Sequence, residues 1–241
     1  MAANHGSGSP AQAHSGWKLW VSRVFQVVLI IVVMDGILFL SAGHMDWPGA
    51  WLWTLMYFAF LLAFAVWATR NAPDLLKERG RVAANVKGWD KVIGVVYTVL
   101  LVVLLITAGL DAGRFRWSVM PFALQVLGVI GLIPAGVAIW WTTVANAYLS
   151  RWARIQDDRG QKVVTGGPYR YVRHPMYLGI IGLFICLPLV LGSSWALIPG
   201  GLIGVLYVIR TALEDRMLQE ELPGYREYAG RVRYRLLPGV W

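Results

Sequence analysis

A single cysteine, Cys186, lies in the middle of an apolar run, so no disulfide framework holds this chain together. Four histidines, three of them within the first 44 residues, offer no metal-ligand spacing. Charged residues make up only 15% of the sequence, where a soluble domain carries about a quarter. There is no internal repeat and no Gly-rich phosphate loop: GGLIG at 200–204 lacks the dinucleotide spacing, and no strand precedes it. These absences argue against a zinc module, a Rossmann-type nucleotide enzyme and a disulfide-stapled secreted domain.

What the sequence has is hydrophobicity, at 57% of residues and a mean hydropathy of +0.55. Sustained apolar runs predict membrane spans near 19–42, 49–69, 92–110, 118–147, 175–191 and 195–210. The expected fold is therefore an all-α, polytopic integral membrane protein with about six transmembrane segments. The last two runs are short, and only GSSW (192–195) separates them, which predicts a helical hairpin with arms bent at Pro188 and Pro199. The first run is too long for a signal peptide and carries Asp35. An acid at that depth marks either a functional group or a hydrogen bond to a neighbouring span. Residues 1–16 read as a disordered tail, 17–148 as spans one to four, and 149–241 as the region that bears the chemistry.

The net charge of +9 invites a nucleic-acid reading until the position of each cation is considered. Lys18 and Arg23 flank the first span, and Arg70, Lys77, Arg79, Arg81, Lys87 and Lys91 fill the second connection. The rest cluster before the hairpin and in the tail, except Arg114 and Arg116 in the third connection. All but those two fall on one side, the positive-inside pattern, which predicts cytoplasmic termini and a cytoplasmic polar region. The charge thus reports orientation and attraction to anionic lipid. Membrane lipids are the expected partners, with no nucleic acid and no metal.

Two polar regions flank the predicted hairpin, 155–179 and 210–241, and the hairpin makes them spatial neighbours. The first contains GGPYRYVRHPMYLG, 166–179. Thr165-Gly166-Gly167-Pro168 is turn chemistry. Pro175 suits the first turn of a helix and pushes His174 out of helical geometry, presenting the imidazole at a helix N-terminus. Backbone N–H groups and the helix dipole there favour an anionic group. Tyr177 follows about one turn up the same face, and Gly179 leaves room for a ligand or a crossing helix. Tyr and Arg also gather at headgroup depth as simple anchors, but His174 and Pro175 add little to anchoring.

In the second region Arg210 and Glu214 share one helix face, a spacing that by itself means an ion pair worth about 0.2–0.5 kcal/mol. Asp215 beside Glu214 exceeds what one pair needs, and an acid here suits a cationic ligand such as an ammonium or sulfonium. After Pro223-Gly224 the tail carries Tyr225, Tyr228, Tyr234 and Arg231, Arg233 and Arg235. That pattern predicts a cationic, amphipathic segment lying on the membrane surface and anchored by Trp241.

Arg-His-Pro-X-Tyr before a hairpin, Arg-X3-Glu-(Asp/Glu) after it and a Tyr-X2-Tyr tail resemble the isoprenylcysteine carboxyl methyltransferase family and its phospholipid methyltransferase relatives. The resemblance covers roughly 150–241. It implies an S-adenosylmethionine-dependent membrane enzyme with a lipophilic acceptor. By motif position, Gln161, Lys162, Val163 and Val164 would wrap the cofactor, with Gln156 contributing. Tyr169, His174, Pro175, Met176 and Tyr177 would complete its pocket, Glu214 would hold it from across the hairpin, and Arg210 would address the acceptor. The prenylcysteine enzymes carry His-Thr-Leu where this chain has Gln161-Lys162-Val163, which leaves the acceptor open. Transfer from a sulfonium needs alignment and a dry pocket more than acid–base groups. A carboxylate acceptor would pair with Arg210, whereas a thiol or amine would need a base such as Glu214 or His174. The tail also resembles the end of sterol reductases, which bind NADPH, and a non-catalytic scaffold stands as a third reading.

Overall fold

The computed structural model describes residues 10–72, 75 and 85–241, with only the backbone for 10–21 and 23. Lys77, Arg79 and Arg81, and residues 1–9 of the expected tail, lie outside the described residues. Among the described residues all regular structure is helical. Helix α1 spans Pro10–Ala42, α2 Pro48–Asn71, α3 Gly88–Ala108, α4 Phe122–Ala145, α5 Pro175–Leu191, α6 Leu197–Glu221 and α7 Tyr225–Arg231. A π-helical stretch, Gly109–Phe115, extends α3, and 3-10 turns occupy Asp157–Arg159 and Gly167–Arg170.

Five helical stretches are long and apolar enough to cross a membrane, and α5, with 17 residues, is a shorter apolar sixth. Large apolar side chains such as Leu40, Leu55, Val99 and Phe122 are exposed on their outer faces, which lipid tails satisfy and water does not. Helix α1 begins at Pro10, within the stretch 1–16 that was expected as a tail. Inside α1, Asp35 Oδ1 accepts a 2.9 Å hydrogen bond from Thr54 Oγ1 of α2, the inter-span bond that was one of its two readings.

The hairpin is the architectural centre: α5 lies between α4 and α6, and α6 packs in turn on α3. Glycines permit the α4–α5 contact. A Cβ on Gly179 would stand 2.7 Å from the Ala135 carbonyl oxygen, so this position serves a crossing helix. Gly192, at φ 76°, ends α5 in the left-handed conformation that glycine adopts freely. Pro188 does lie inside α5, but Pro199 is in the first turn of α6, where it displaces no helical hydrogen bond, contrary to the expected bend.

The two ends of the bundle are pinned by different acids. At the end that holds the hairpin turn, buried Asp111 accepts from Ser118 N and Oγ, both at 2.7 Å, from Ser193 Oγ at 2.6 Å and from Trp195 N at 3.3 Å. At the opposite end, where nearly all described cations gather, the connections around 85–91, 146–174 and 210–241 converge.

Candidate active site

Helix α5 starts where its sequence says it should. Pro175 takes the first helical position and His174 the cap, at φ −127° and ψ 59°. The chain just before it is tied to the C-terminal segment by two backbone bonds, Arg173 N–H to Tyr234 O at 3.0 Å and His174 N–H to Arg235 O at 2.9 Å. Arg173 reaches across to α6, donating from Nε and Nη2 to the two oxygens of Asp215 at 2.7 and 2.9 Å. Its Nη1 is bonded to the carbonyls of Val232 and Arg233. Burial works to lower the pKa of Arg173, but the Asp215 carboxylate outweighs it and holds the guanidinium above its ordinary value.

Asp215 is fully buried and also accepts from Arg235 Nε, Gln219 Nε2 and Tyr225 Oη, with His174 Nε2 at 3.4 Å. So many donors leave it no capacity for a ligand. Of the adjacent acids it is the structural one, and Glu214 is the one that faces the cleft. The tail buries one face against the protein and leaves Arg226, Arg231 and Arg233 exposed, the amphipathic pattern expected of it. Tyr225 and Tyr228 are buried, Tyr228 Oη donates to the Tyr169 carbonyl at 2.8 Å, and Trp241 packs on the main core with Arg235 over its ring. Burial raises the pKa of Tyr169, Tyr225 and Tyr228, so all three are neutral phenols.

Gln156, Gln161, Lys162, Val163, Val164, Tyr169, His174, Pro175, Met176, Tyr177 and Glu214 all line one cleft. The hairpin thus brings together every residue assigned to the cofactor. Tyr177 Oη donates a short hydrogen bond to Glu214 Oε2, and the Tyr177 ring stacks on His174 at an interplanar angle of 7°. Among the described residues, the backbone N–H and C=O groups of Lys162, Val163 and Val164 have no protein partner. Gln156 is more structural than expected: it is buried, with its amide bonded to the Tyr148 carbonyl and to Arg159. The cleft has a cavity volume of about 90 Å3 and opens to solvent. Its donor set fits S-adenosylmethionine: a half-buried carboxylate for a cation, a helix N-terminus for a carboxylate, unpaired backbone groups on an exposed loop and aromatic walls.

Arg210 does not line this cleft. It faces a neighbouring cavity of about 580 Å3 between α3, α5 and α6, walled by apolar groups such as Ile93, Val99 and Ile180. Ser150, Trp152 and Met176 are shared by the two walls. The Arg210 guanidinium sits over the rings of Tyr177 and Tyr207, 5.3 and 5.9 Å from their centroids. Its acid partner is Asp90 of α3, with Nη2 to Oδ2 at 3.1 Å, and Glu214, four residues on, is paired elsewhere. Sequence reasoning missed Asp90, an acid at the end of a basic connection, because the third span was expected to begin at 92 and α3 begins at Gly88. Arg173 was given no role of its own, although it opens the Arg-His-Pro-X-Tyr motif directly before His174.

The fold and this pair of sites define a polytopic helical membrane protein with a polar cleft at one end of the bundle beside an apolar cavity. Residues 126–223, from α4 to just past α6, match the family model of the phospholipid methyltransferases, so the resemblance read from the motifs is borne out there. The chain is also similar to the cobalt-zinc-cadmium resistance protein CzcN of Cupriavidus metallidurans, 34% identical over 144 residues covering 55% of this chain and 58% of the relative. It is 31% identical over 151 residues to the nickel-cobalt-cadmium resistance protein NccN of Alcaligenes xylosoxydans xylosoxydans, covering 58% of this chain and 62% of the relative. The chain thus spans about three fifths of the length of these relatives.

Proposed function

We propose that this protein is a membrane-embedded methyltransferase that binds S-adenosylmethionine in the cleft and takes a lipophilic acceptor from the bilayer through the adjoining cavity. The observation that carries the reading is the Glu214–Tyr177 pair in a polar cleft that shares Ser150, Trp152 and Met176 with an apolar cavity. The family match over 126–223 supports it. Glu214 holds the cationic side of the cofactor, the α5 N-terminus faces its carboxylate, and Lys162–Val164 bind it through backbone groups. Arg210 orients the acceptor. The cofactor supplies an already activated methyl group, so the protein's task is alignment and exclusion of water. Following the cation asymmetry, the cleft faces the cytosol, where the cofactor is found.

Binding calorimetry on the purified protein tests this against a reductase and a scaffold. Micromolar affinity for S-adenosylhomocysteine without affinity for NADPH is expected. The reverse result favours the reductase, and binding of neither favours the scaffold.

A further inference from the structure

Helices α2 and α4 meet through rings. Phe60, Phe64 and Trp67 follow one face of α2 at helical spacing, and each lies against Trp140 of α4, with ring centroids 6.0, 6.3 and 5.9 Å apart. Beside this stack runs an apolar groove of about 560 Å3. Phe60 lines one side of it, and a stripe of α4 that includes Ile133, Gly136, Val137 and Val144 lines the other. The groove shares no residue with the cleft or with the cavity beside Arg210.

Towards the end of the bundle where the cations gather, the chemistry of the groove changes. Trp141 lines it there, and the Tyr171 ring lies 6.2 Å from the Trp141 ring, centroid to centroid. The turn Gly167–Arg170 sits on the same tryptophan: a Cβ on Gly167 would stand 3.2 Å from Trp141 Nε1. Arg170 and Tyr171 are exposed, as is Arg70, one turn beyond Trp67 in α2. Trp141 Nε1 and Tyr171 Oη have no hydrogen-bond partner among the described residues. An apolar slot thus ends in a rim of cations and free donors.

We infer that this groove binds a phospholipid with an anionic headgroup, an acyl chain lying along α4 from Leu132 to Val144 and the phosphate meeting Arg70, Arg170 and the Trp141 N–H. Cations beside the headgroup layer attract anionic lipid, and a tryptophan there keeps its ring in the apolar layer and its N–H in the polar one. A second helix fits the slot poorly. Membrane helices associate through small residues that let backbones approach, and Gly136 is the single glycine in a wall of aromatic and branched groups. A flexible chain follows such a wall.

The test uses the full chain in nanodiscs of phosphatidylcholine and phosphatidylglycerol in equal amounts, with a photoreactive diazirine on an acyl chain of one lipid or the other. Phosphatidylglycerol should label the 132–144 stretch of α4 about tenfold more than phosphatidylcholine does. Lipid-exposed α1 around Val32 and Val33 should show no such preference. Arg70→Gln combined with Arg170→Gln should abolish the preference, and Gly136→Leu, which fills the groove, should remove the labelling. Both arginines are exposed, so the double variant keeps the fold even if Gly136→Leu does not. Equal labelling by the two lipids in the wild type, or a preference that survives the double variant, overturns the assignment. So does a dimer, seen by native mass spectrometry, that Gly136→Leu dissolves, because the groove is then an interface between copies.

Discussion

Arg173 grips Asp215 with two parallel N–H···O bonds of 2.7 and 2.9 Å, joining the loop before α5 to the far arm of the hairpin in the driest part of the site. Bidentate geometry and burial make this a pair whose halves are each ruinous alone. Arg173→Ala should cost about 3–5 kcal/mol, because Asp215 is then left buried with its strongest partner gone. Thermal unfolding of the detergent-purified protein checks this, and a melting temperature within error of the wild type would refute it.

Glu214→Ala should weaken S-adenosylhomocysteine binding by about tenfold, the loss of one charge-assisted contact. Tyr177→Phe should have a smaller effect in the same direction, since it removes only the phenol that orients Glu214. Arg210→Ala should leave that affinity intact and abolish turnover, because Arg210 faces the neighbouring cavity. Titration calorimetry with the three variants separates the two sets of roles.

Lys162, Val163 and Val164 offer backbone groups that no described residue engages. Cofactor binding should therefore slow hydrogen exchange at their amides more than anywhere in α1–α3. Exchange mass spectrometry with and without S-adenosylhomocysteine reads this directly.

At the other end of the bundle, Ser193→Ala deletes one of the bonds that satisfy buried Asp111 and pin the hairpin turn. A stability loss of about 1–3 kcal/mol is expected, with S-adenosylhomocysteine affinity unchanged. A large change in affinity would mean that the turn communicates with the cleft.

The order of apolar runs, the short hairpin turn and the convergence of 155–179 with 210–241 were all legible in the sequence, because each follows from local composition and chain connectivity. His174 and Pro175 were legible for a similar reason: proline constrains its own helix start and the residue before it. Asp90 was hidden by distance, since its partner Arg210 lies 120 positions away and i, i+4 logic paired that arginine with Glu214 instead. The amphipathic character of the tail was legible from its alternating Tyr and Arg residues, but what its buried face meets was not. Only the folded chain shows that Tyr225 and Tyr228 point inward and that Arg235 meets Asp215.

The two backbone bonds from Arg173 and His174 to Tyr234 and Arg235 also carry a consequence for synthesis. A chain that ended after α6 would have all its long apolar helices, yet would lack the two bonds that tie Arg173 and His174 to the C-terminal segment. The loop before α5 is therefore tied down only once residues 234 and 235 have been made.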